Sequence, residues 1–201
     1  MEARSHASAR AFSLLELLIT MALILVMFVM LYGPSSRGVQ DRRKAACQKN
    51  LQTAYVALQL YANDHGASFP SRSGAKTSEE VLSLLVPQYT SLTEPFICPG
   101  SKDDRLPEGQ PFDKRKISYA YYMGWQATNR AEVLMTDRQI NTQPKAEGDA
   151  MFSTDGKAPG NNHNKYGGNL MRCDGSLEMI SVRAPCPLPL ASGVVLLNPK
   201  P

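Results

Sequence analysis

Charge is almost absent between Arg10 and Arg37, where Glu16 is the one charged residue. This absence excludes an ordinary solvated helix there. The run from Phe12 to Tyr32 has 21 residues, and at about 1.5 Å per residue such a helix spans the roughly 30 Å hydrocarbon layer. We predict a transmembrane helix at 12–32. A carboxylate in hydrocarbon is costly, so Glu16 is expected to have a partner and a function.

No cleavage site of the small-x-small kind closes this run, which is also long for the apolar part of a secretory signal. A removable secretory signal is therefore the weaker alternative. Residues 1–11 are short, polar and net positive, since Arg4 and Arg10 outnumber Glu2. We interpret them as a leader peptide. More positive charges follow the apolar run than precede it, which by the positive-inside rule opposes export of the following domain.

Cysteine is scarce, and the four residues lack the close pairing of a zinc ribbon or a redox motif. They are Cys47, Cys98, Cys173 and Cys186. An even number of cysteines in an exported domain permits two disulfides, which four cysteines can form in three different pairings. The sequence does not choose among these pairings. We expect one bridge, and a Cys47 to Cys98 link would join a loop to a helix. The alternative is four reduced, small apolar side chains.

Signatures of catalysis are also missing: there is no nucleophile elbow, paired acid motif or phosphate loop. We therefore predict that the protein is not an enzyme. The net charge is only +4, and nucleic acid is not an expected partner. Basic residues cluster only after the apolar run, at Arg37, Arg42, Arg43 and Lys44. We interpret that cluster as charge facing anionic lipid rather than nucleic acid.

An amphipathic helix is predicted at 33–66, after a kink at Gly33-Pro34. Its apolar residues recur at intervals of three and four, at Cys47, Leu51, Ala54, Tyr55, Leu58 and Tyr61 or Ala62. Gly66 is a candidate for the left-handed residue past its end. Together with the transmembrane half, the helix would have about 50 residues and a length of roughly 75 Å.

Residues 67–183 are predicted to form a small α/β head. A short helix is expected at 78–85, followed by strands at 117–122, 132–136, 169–173 and 176–182. The last two are joined by the hairpin signal Asp174-Gly175. We expect one covered sheet face, and a proline-rich tail at 184–201 with structure at most in 193–197. The predicted fold class is α+β, with a long N-terminal helix packed on a small antiparallel sheet.

A basic leader, the small residue Ala11, then Phe12 and an apolar helix with a lone Glu16 resemble the class III signal of type IV pilins and type II secretion pseudopilins. The resemblance implies that a prepilin peptidase cuts between Ala11 and Phe12 and methylates the new amine. The family usually has glycine before the cut, so Ala11 is a departure.

A physical reason for this pattern exists apart from the family. After such a cut the Phe12 amine is a cation and Glu16 is an anion one turn along, and neither tolerates lipid alone. Staggered packing brings the amine of one subunit to the carboxylate of its neighbour, and repetition of the stagger builds an open filament. The alternative is a glutamate that reaches the interface or stays protonated.

The rest of the chain is similar to a pseudopilin-type group abundant in planctomycete and verrucomicrobial genomes. The motifs that carry this resemblance are Cys47 to Gln52, Tyr61 to Gly66, Phe69-Pro70, Phe96 to Pro99, Ser118-Tyr119, Val133 to Asp137, and His163 through Gly167-Gly168-Asn169 to Asp174-Gly175. Members of the group end in a histidine followed by Asp-Gly. Here ten residues separate His163 from Asp174, one more than in the usual form.

Asp137, Asp174 and His163 raise the hypothesis of a calcium site, because carboxylates near a strand end and a loop rich in asparagine and glycine suit that ion. The major pseudopilin of type II secretion, which the chain resembles in plan, holds calcium with loop acids. The alternative assigns Asp137 to a turn cap, Asp174 to the hairpin turn and His163 to backbone carbonyls. No other cofactor is expected.

The favoured interpretation is a filament subunit held in the bacterial inner membrane by a single pass, with a periplasmic domain that later joins a periplasmic or surface filament. Its implied partners are itself, other pilin-like subunits, the prepilin peptidase and the inner-membrane assembly platform. One rival is a membrane-anchored periplasmic binding domain that never polymerises. Another is a membrane-tethered metal-dependent enzyme that uses Asp137, Asp174 and His163.

Overall fold

The computed structural model describes residues 13–32, 36–140, 148–182 and 190–201. The chain divides into two compact units, residues 1–36 and 37–201. The described part of the first unit is helix α1, Leu14–Tyr32. Ser13 caps it, because its Oγ accepts a hydrogen bond from Leu15 N at 3.3 Å and its carbonyl accepts one from Leu17 N at 3.1 Å. This capping satisfies amides that a helix start leaves without partners.

Helix α2, Ser36–Asp64, supplies one wall of the second unit. Its predicted apolar face is confirmed, since Cys47, Leu51 and Leu58 are fully buried. The helix ends as predicted, with Gly66 in the left-handed region at φ +60°. That conformation lets Ala67 N donate to Ala62 O at 2.8 Å. The kink predicted at Gly33-Pro34 lies outside the described residues.

A five-stranded sheet in the order β4-β3-β2-β1-β5 forms the centre of the second unit, and each of its strands pairs antiparallel with its neighbours. The strands are β1 Tyr119–Met123, β2 Val133–Asp137, β3 Gly168–Arg172, β4 Leu177–Ile180 and β5 Val195–Leu197. The predicted helix is α3, Ser78–Leu82, continued by a 3-10 turn at Ser83–Leu85, and a second 3-10 turn spans Glu94–Phe96. The predicted α+β class is therefore confirmed.

Both faces of the sheet are covered, whereas the sequence led us to expect one. Along β1, Tyr119 and Tyr121 belong to the core shared with α2, while Ala120 and Tyr122 belong to a second apolar cluster. The second cluster includes Phe152, whose ring leaves no room for a side chain at Gly168. A loop rich in glycine and asparagine thus covers the far face, and its irregular pattern hid that role.

The described end of the chain belongs to the second unit, where the sequence predicted a proline-rich tail with structure at most in 193–197. Strand β5 pairs with β1, and Leu197 is 3% exposed. The buried carboxylate of Glu79 in α3 accepts hydrogen bonds from Lys200 N at 2.9 Å and Ile117 N at 3.2 Å. Three segments distant in sequence therefore meet at one acid. Residues 183–189 lie outside the description.

A disulfide joins Cys47 on α2 to Cys98 in the loop after the second 3-10 turn, across a sequence separation of 51. It links the loop region to the helix, in the way considered from the sequence. In the chain-entropy model, a disulfide that closes a loop of this length stabilises the folded state by about 4 kcal/mol, because it lowers the entropy of the unfolded chain.

Candidate functional site

The N-terminal helix presents apolar side chains on all sides. Every described side chain from 14 to 30 is exposed in the single chain, including Leu18 at 61% and Phe28 at 58%. Glu16 lies in the first turn of α1, where a negative charge interacts favourably with the helix dipole. Within 13–32, no residue forms an ion pair or hydrogen bond with its carboxylate. Ala11 and Phe12, the predicted cleavage and methylation site, lie outside the described residues.

Across the described ranges of the chain, no helix combines the length and the hydropathy that crossing a membrane requires. The predicted transmembrane helix at 12–32 begins at Phe12, which lies outside the described residues.

One base of the cluster predicted to face lipid has a structural role instead. Lys44 is 8% exposed, forms an ion pair with Asp41 at 3.1 Å, and donates from Nζ to Tyr166 O at 3.1 Å. Its alkyl chain is therefore part of the second unit. Arg42 and Arg43 are exposed, as the prediction requires.

Asp137 is a buried acid whose charge is satisfied within the chain. It ends strand β2 and is 1% exposed. Its Oδ2 accepts hydrogen bonds from Asn169 N at 2.7 Å and Asn169 Nδ2 at 3.1 Å, while Oδ1 accepts one from Asn162 Nδ2 at 3.0 Å. Such donors make burial of a carboxylate tolerable. The pKa of Tyr119 is raised well above its ordinary value of 10.0, first by burial of the tyrosine and second by the charge of Asp137.

His163 connects this acid to the disulfide. The imidazole is fully buried, and its Nε2 lies 3.2 Å from Asp137 Oδ2 and 3.4 Å from Cys98 Sγ. Because Nε2 faces a carboxylate oxygen, we assign its proton to that nitrogen. The four ligand atoms of Cys47, Cys98, Asp137 and His163 all lie within 4.8 Å of one another.

Asp174 does not join Asp137 and His163. It follows β3 at one end of the strand, whereas Asp137 contacts Asn169 near the other end. Asp174 is exposed and accepts a hydrogen bond from Ser176 N at 2.9 Å in the hairpin turn. Hydrogen bonds from Ser176 lower its pKa below the ordinary 3.8. The three residues therefore do not form one site, and calcium binding stays a prediction.

Of the two remaining cysteines, Cys173 is separate from this cluster. Cys173 is buried without a disulfide. Burial, followed by the charges of Glu132 and Asp174, raises the pKa of its thiol to about 12. It is therefore protonated and unreactive near neutral pH. Cys186 lies outside the described residues.

Sequence reasoning missed Asn162, Asn169 and Gly100 as parts of the site. The two asparagines are buried and aim their amides at Asp137. Gly100 lets the loop lie against the imidazole, since a Cβ atom there would be 2.7 Å from His163 Nδ1. Single residues in loops show no periodicity, so only the motif Gly167-Gly168-Asn169 hinted at such a role.

A polar cleft of about 660 Å³ opens beside the cluster, and Gly100 and Asn162 belong to its lining. Its charged lining residues are the cations Arg43, Lys102, Arg105, Arg115, Lys116 and Arg138 and the acids Asp103 and Asp104. Asp103 pairs with Arg138 at 2.9 Å and with Lys116 at 3.8 Å. The excess of cations makes the cleft attractive to anions.

The described part of the chain thus combines an apolar N-terminal helix, with an acid in its first turn, and an α+β unit. Residues 6–32 match the family model described as the prokaryotic N-terminal methylation motif. This match supports a type IV pilin-like or pseudopilin-like protein, as the resemblance implied. Comparison with curated proteins and with solved structures finds no match.

Proposed function

We propose that the protein is a structural subunit of a type IV pilus-like or type II secretion pseudopilus filament. The observation that carries this proposal is the methylation motif over residues 6–32, within which Glu16 is the lone acid of an apolar helix. Cleavage before Phe12 and N-methylation by a prepilin peptidase precede assembly. Before assembly, residues 12–32 hold the chain in the bacterial inner membrane with the domain in the periplasm.

Helix α1 supports polymerisation because it offers what a filament core needs. Its side chains from 14 to 30 are exposed in the single chain. A filament that leaves the membrane has to cover them, because each large apolar side chain is about 1.5 to 3 kcal/mol less favourable in water than when fully buried. Similar helices from neighbouring subunits are the surfaces that could cover it. Other pilin-like subunits and the assembly platform are the partners in this proposal.

Glu16 sets the register of that packing. Its carboxylate has no partner within the described part of α1, and the amine created at Phe12 is a cation that also needs a counter-ion where water is excluded. Pairing between neighbours neutralises both charges where water is excluded. Repeated head to tail, this contact does not close, so it builds a filament.

Intact-mass analysis tests the proposal directly. Protein from a host that contains a prepilin peptidase should lack residues 1–11 and carry one added methyl group on Phe12. Protein from the same host without the peptidase is the control, and it should keep the leader. An uncut chain in the first host would contradict the proposal.

One observation favours a second candidate, a membrane-anchored periplasmic domain that binds a ligand without polymerising. The basic cleft of about 660 Å³ has the size of a small-ligand site. This candidate predicts a monomer whose ligand binding does not change when Glu16 is replaced. The filament proposal predicts that this replacement stops assembly.

A further inference from the structure

The two sulfurs of the Cys47–Cys98 disulfide lie beside an imidazole and a carboxylate, and these four groups are all of types that bind zinc. The two sulfurs, His163 Nε2 and an Asp137 carboxylate oxygen lie within 4.8 Å of one another, and the four residues are at most 1% exposed. We propose that reduction of the disulfide converts this cluster into a zinc site with two thiolates, one imidazole and one carboxylate. The proposal does not depend on filament assembly.

The spacing of the ligand atoms fits a tetrahedral ion. Zinc bonds of about 2.0 to 2.3 Å place neighbouring ligand atoms roughly 3.2 to 3.8 Å apart. His163 Nε2 already lies 3.2 Å from Asp137 Oδ2 and 3.4 Å from Cys98 Sγ. The sulfurs are closer than zinc needs only because they are bonded to each other, and reduction frees them to separate.

The donor types select zinc rather than calcium. Thiolate and imidazole are soft and borderline ligands, whereas calcium takes oxygen ligands. The carboxylate is already oriented by hydrogen bonds from Asn162 and Asn169, which is the role that outer-shell residues have in zinc sites. Because all four ligand groups are buried and come from the protein, the site is of the closed, structural kind rather than the catalytic kind, which keeps one position open.

The reaction needs a reductant, for which we name a dithiol. It gives two electrons and two protons to the disulfide, which becomes two thiols while the dithiol becomes a disulfide. Zinc then displaces both thiol protons, and the imidazole proton moves from Nε2 to Nδ1. With neutral His163 the loaded site carries a charge of about −1, which the neighbouring cationic cleft offsets. Gly100 and Asn162 line that cleft beside the cluster.

Cobalt is the probe for this site because its spectrum reports ligand type and geometry. The full chain is purified in detergent, reduced with a phosphine, freed of reductant and titrated anaerobically with Co²⁺. We expect one ion per chain, visible bands of tetrahedral cobalt and a near-ultraviolet thiolate charge-transfer band. Zinc should displace the cobalt and bleach these bands, and the oxidised chain should show none.

Matched variants separate this site from other thiols. Cys173→Ser should leave the bands unchanged, since Cys173 is outside the cluster. Cys47→Ser and His163→Ala should weaken or abolish them, and Asn162→Ala should lower metal affinity about 10-fold to 100-fold. Equal bands in the Cys47 variant would overturn the proposal.

Reduction of the disulfide can unfold the chain, so circular dichroism is used to measure its secondary structure with and without zinc. If the reduced chain unfolds without metal, zinc should restore its spectrum in the parent and in Cys173→Ser but not in His163→Ala. A reduced chain that stays folded without binding cobalt overturns the proposal. So does an unfolded one that zinc fails to restore.

Discussion

Glu16 in helix α1 and Asp137 at the end of strand β2 are both acids that belong to apolar segments, but only one of them has partners within its own unit. Asp137 receives hydrogen bonds from two asparagines and contacts His163, all within its own unit. Glu16 has no such partner among residues 13–32, and the side chains around it are exposed. A polar group satisfied inside the chain supports one fold, whereas one left without a partner on an apolar surface points to a second molecule.

The same contrast holds for apolar surface. The core of the second unit buries large side chains completely, such as Phe96, Phe112 and Leu134. Helix α1 leaves its large apolar side chains from 14 to 30 between 49% and 80% exposed in the single chain. Exposed apolar areas of this kind mark surfaces that contact a partner or a membrane. The first unit is therefore the one that the filament proposal assigns to assembly.

The largest expected effect is from Glu16→Gln, which keeps the size of the side chain and removes its charge. Without the carboxylate, the neighbour's Phe12 amine would be buried without a counter-ion, at a cost of about 3 kcal/mol or more per subunit contact. We expect membrane insertion to continue and filaments to be lost, as counted by electron microscopy of an assembling host. Glu94→Gln, at an exposed acid of the second unit, should assemble normally. Normal filaments from Glu16→Gln would show that Glu16 needs no partner from a second molecule, and the proposed difference between Glu16 and Asp137 would be wrong.

A smaller effect is expected from Asp137→Ala, measured by urea unfolding of the full chain in detergent with the disulfide intact. The substitution leaves the buried donors of Asn169 and His163 without an acceptor, so we expect a loss of about 3 kcal/mol. Asp174→Ala is the matched control, because Asp174 is exposed and its carboxylate accepts a hydrogen bond from Ser176 N in the hairpin turn. Equal losses in the two variants would show that the network around Asp137 has no special role.

An effect that is absent at neutral pH and confined to alkaline pH concerns Cys173, whose folded pKa of about 12 exceeds its ordinary value of 9.0. A raised pKa means that the thiol's contribution to stability is complete below about pH 9 and is lost as the pH rises toward 12. The unfolding free energy should therefore fall less steeply over this interval in Cys173→Ala than in the parent. Buried Tyr119 titrates in both chains and cancels in the comparison. Parallel pH profiles would contradict the prediction.

Patterns of regular period were enough to predict most elements of the fold. The apolar face of α2, the end of that helix at Gly66 and the β3–β4 hairpin follow from local rules of spacing and turn chemistry. The start of α1 is also local, since Ser13 caps it. The covering of the second sheet face was not predicted, and for β5 the sequence indicated only that the tail has structure at most in 193–197, because both features depend on loops and on contacts between segments distant in sequence.

The candidate sites divide in the same way. Glu16 stands out in the sequence because no other charge surrounds it. Asp137 and His163 could be named as candidates, but Asp174 could not be separated from them, and their union with Cys47 and Cys98 was not foreseen. Distances along the chain carry no information on which loop returns to which strand end.

The sequence by itself determined the apolar helix, its lone acid, the methylation motif and the amphipathic face of α2, because each of these is written in neighbouring residues. Only the tertiary structure decided the Cys47–Cys98 pairing, the hydrogen bonds to Asp137 and the separation of Asp174 from His163. These depend on packing of the sheet against α2, which brings together residues up to 125 positions apart in the chain. Such groups satisfy a buried charge only together.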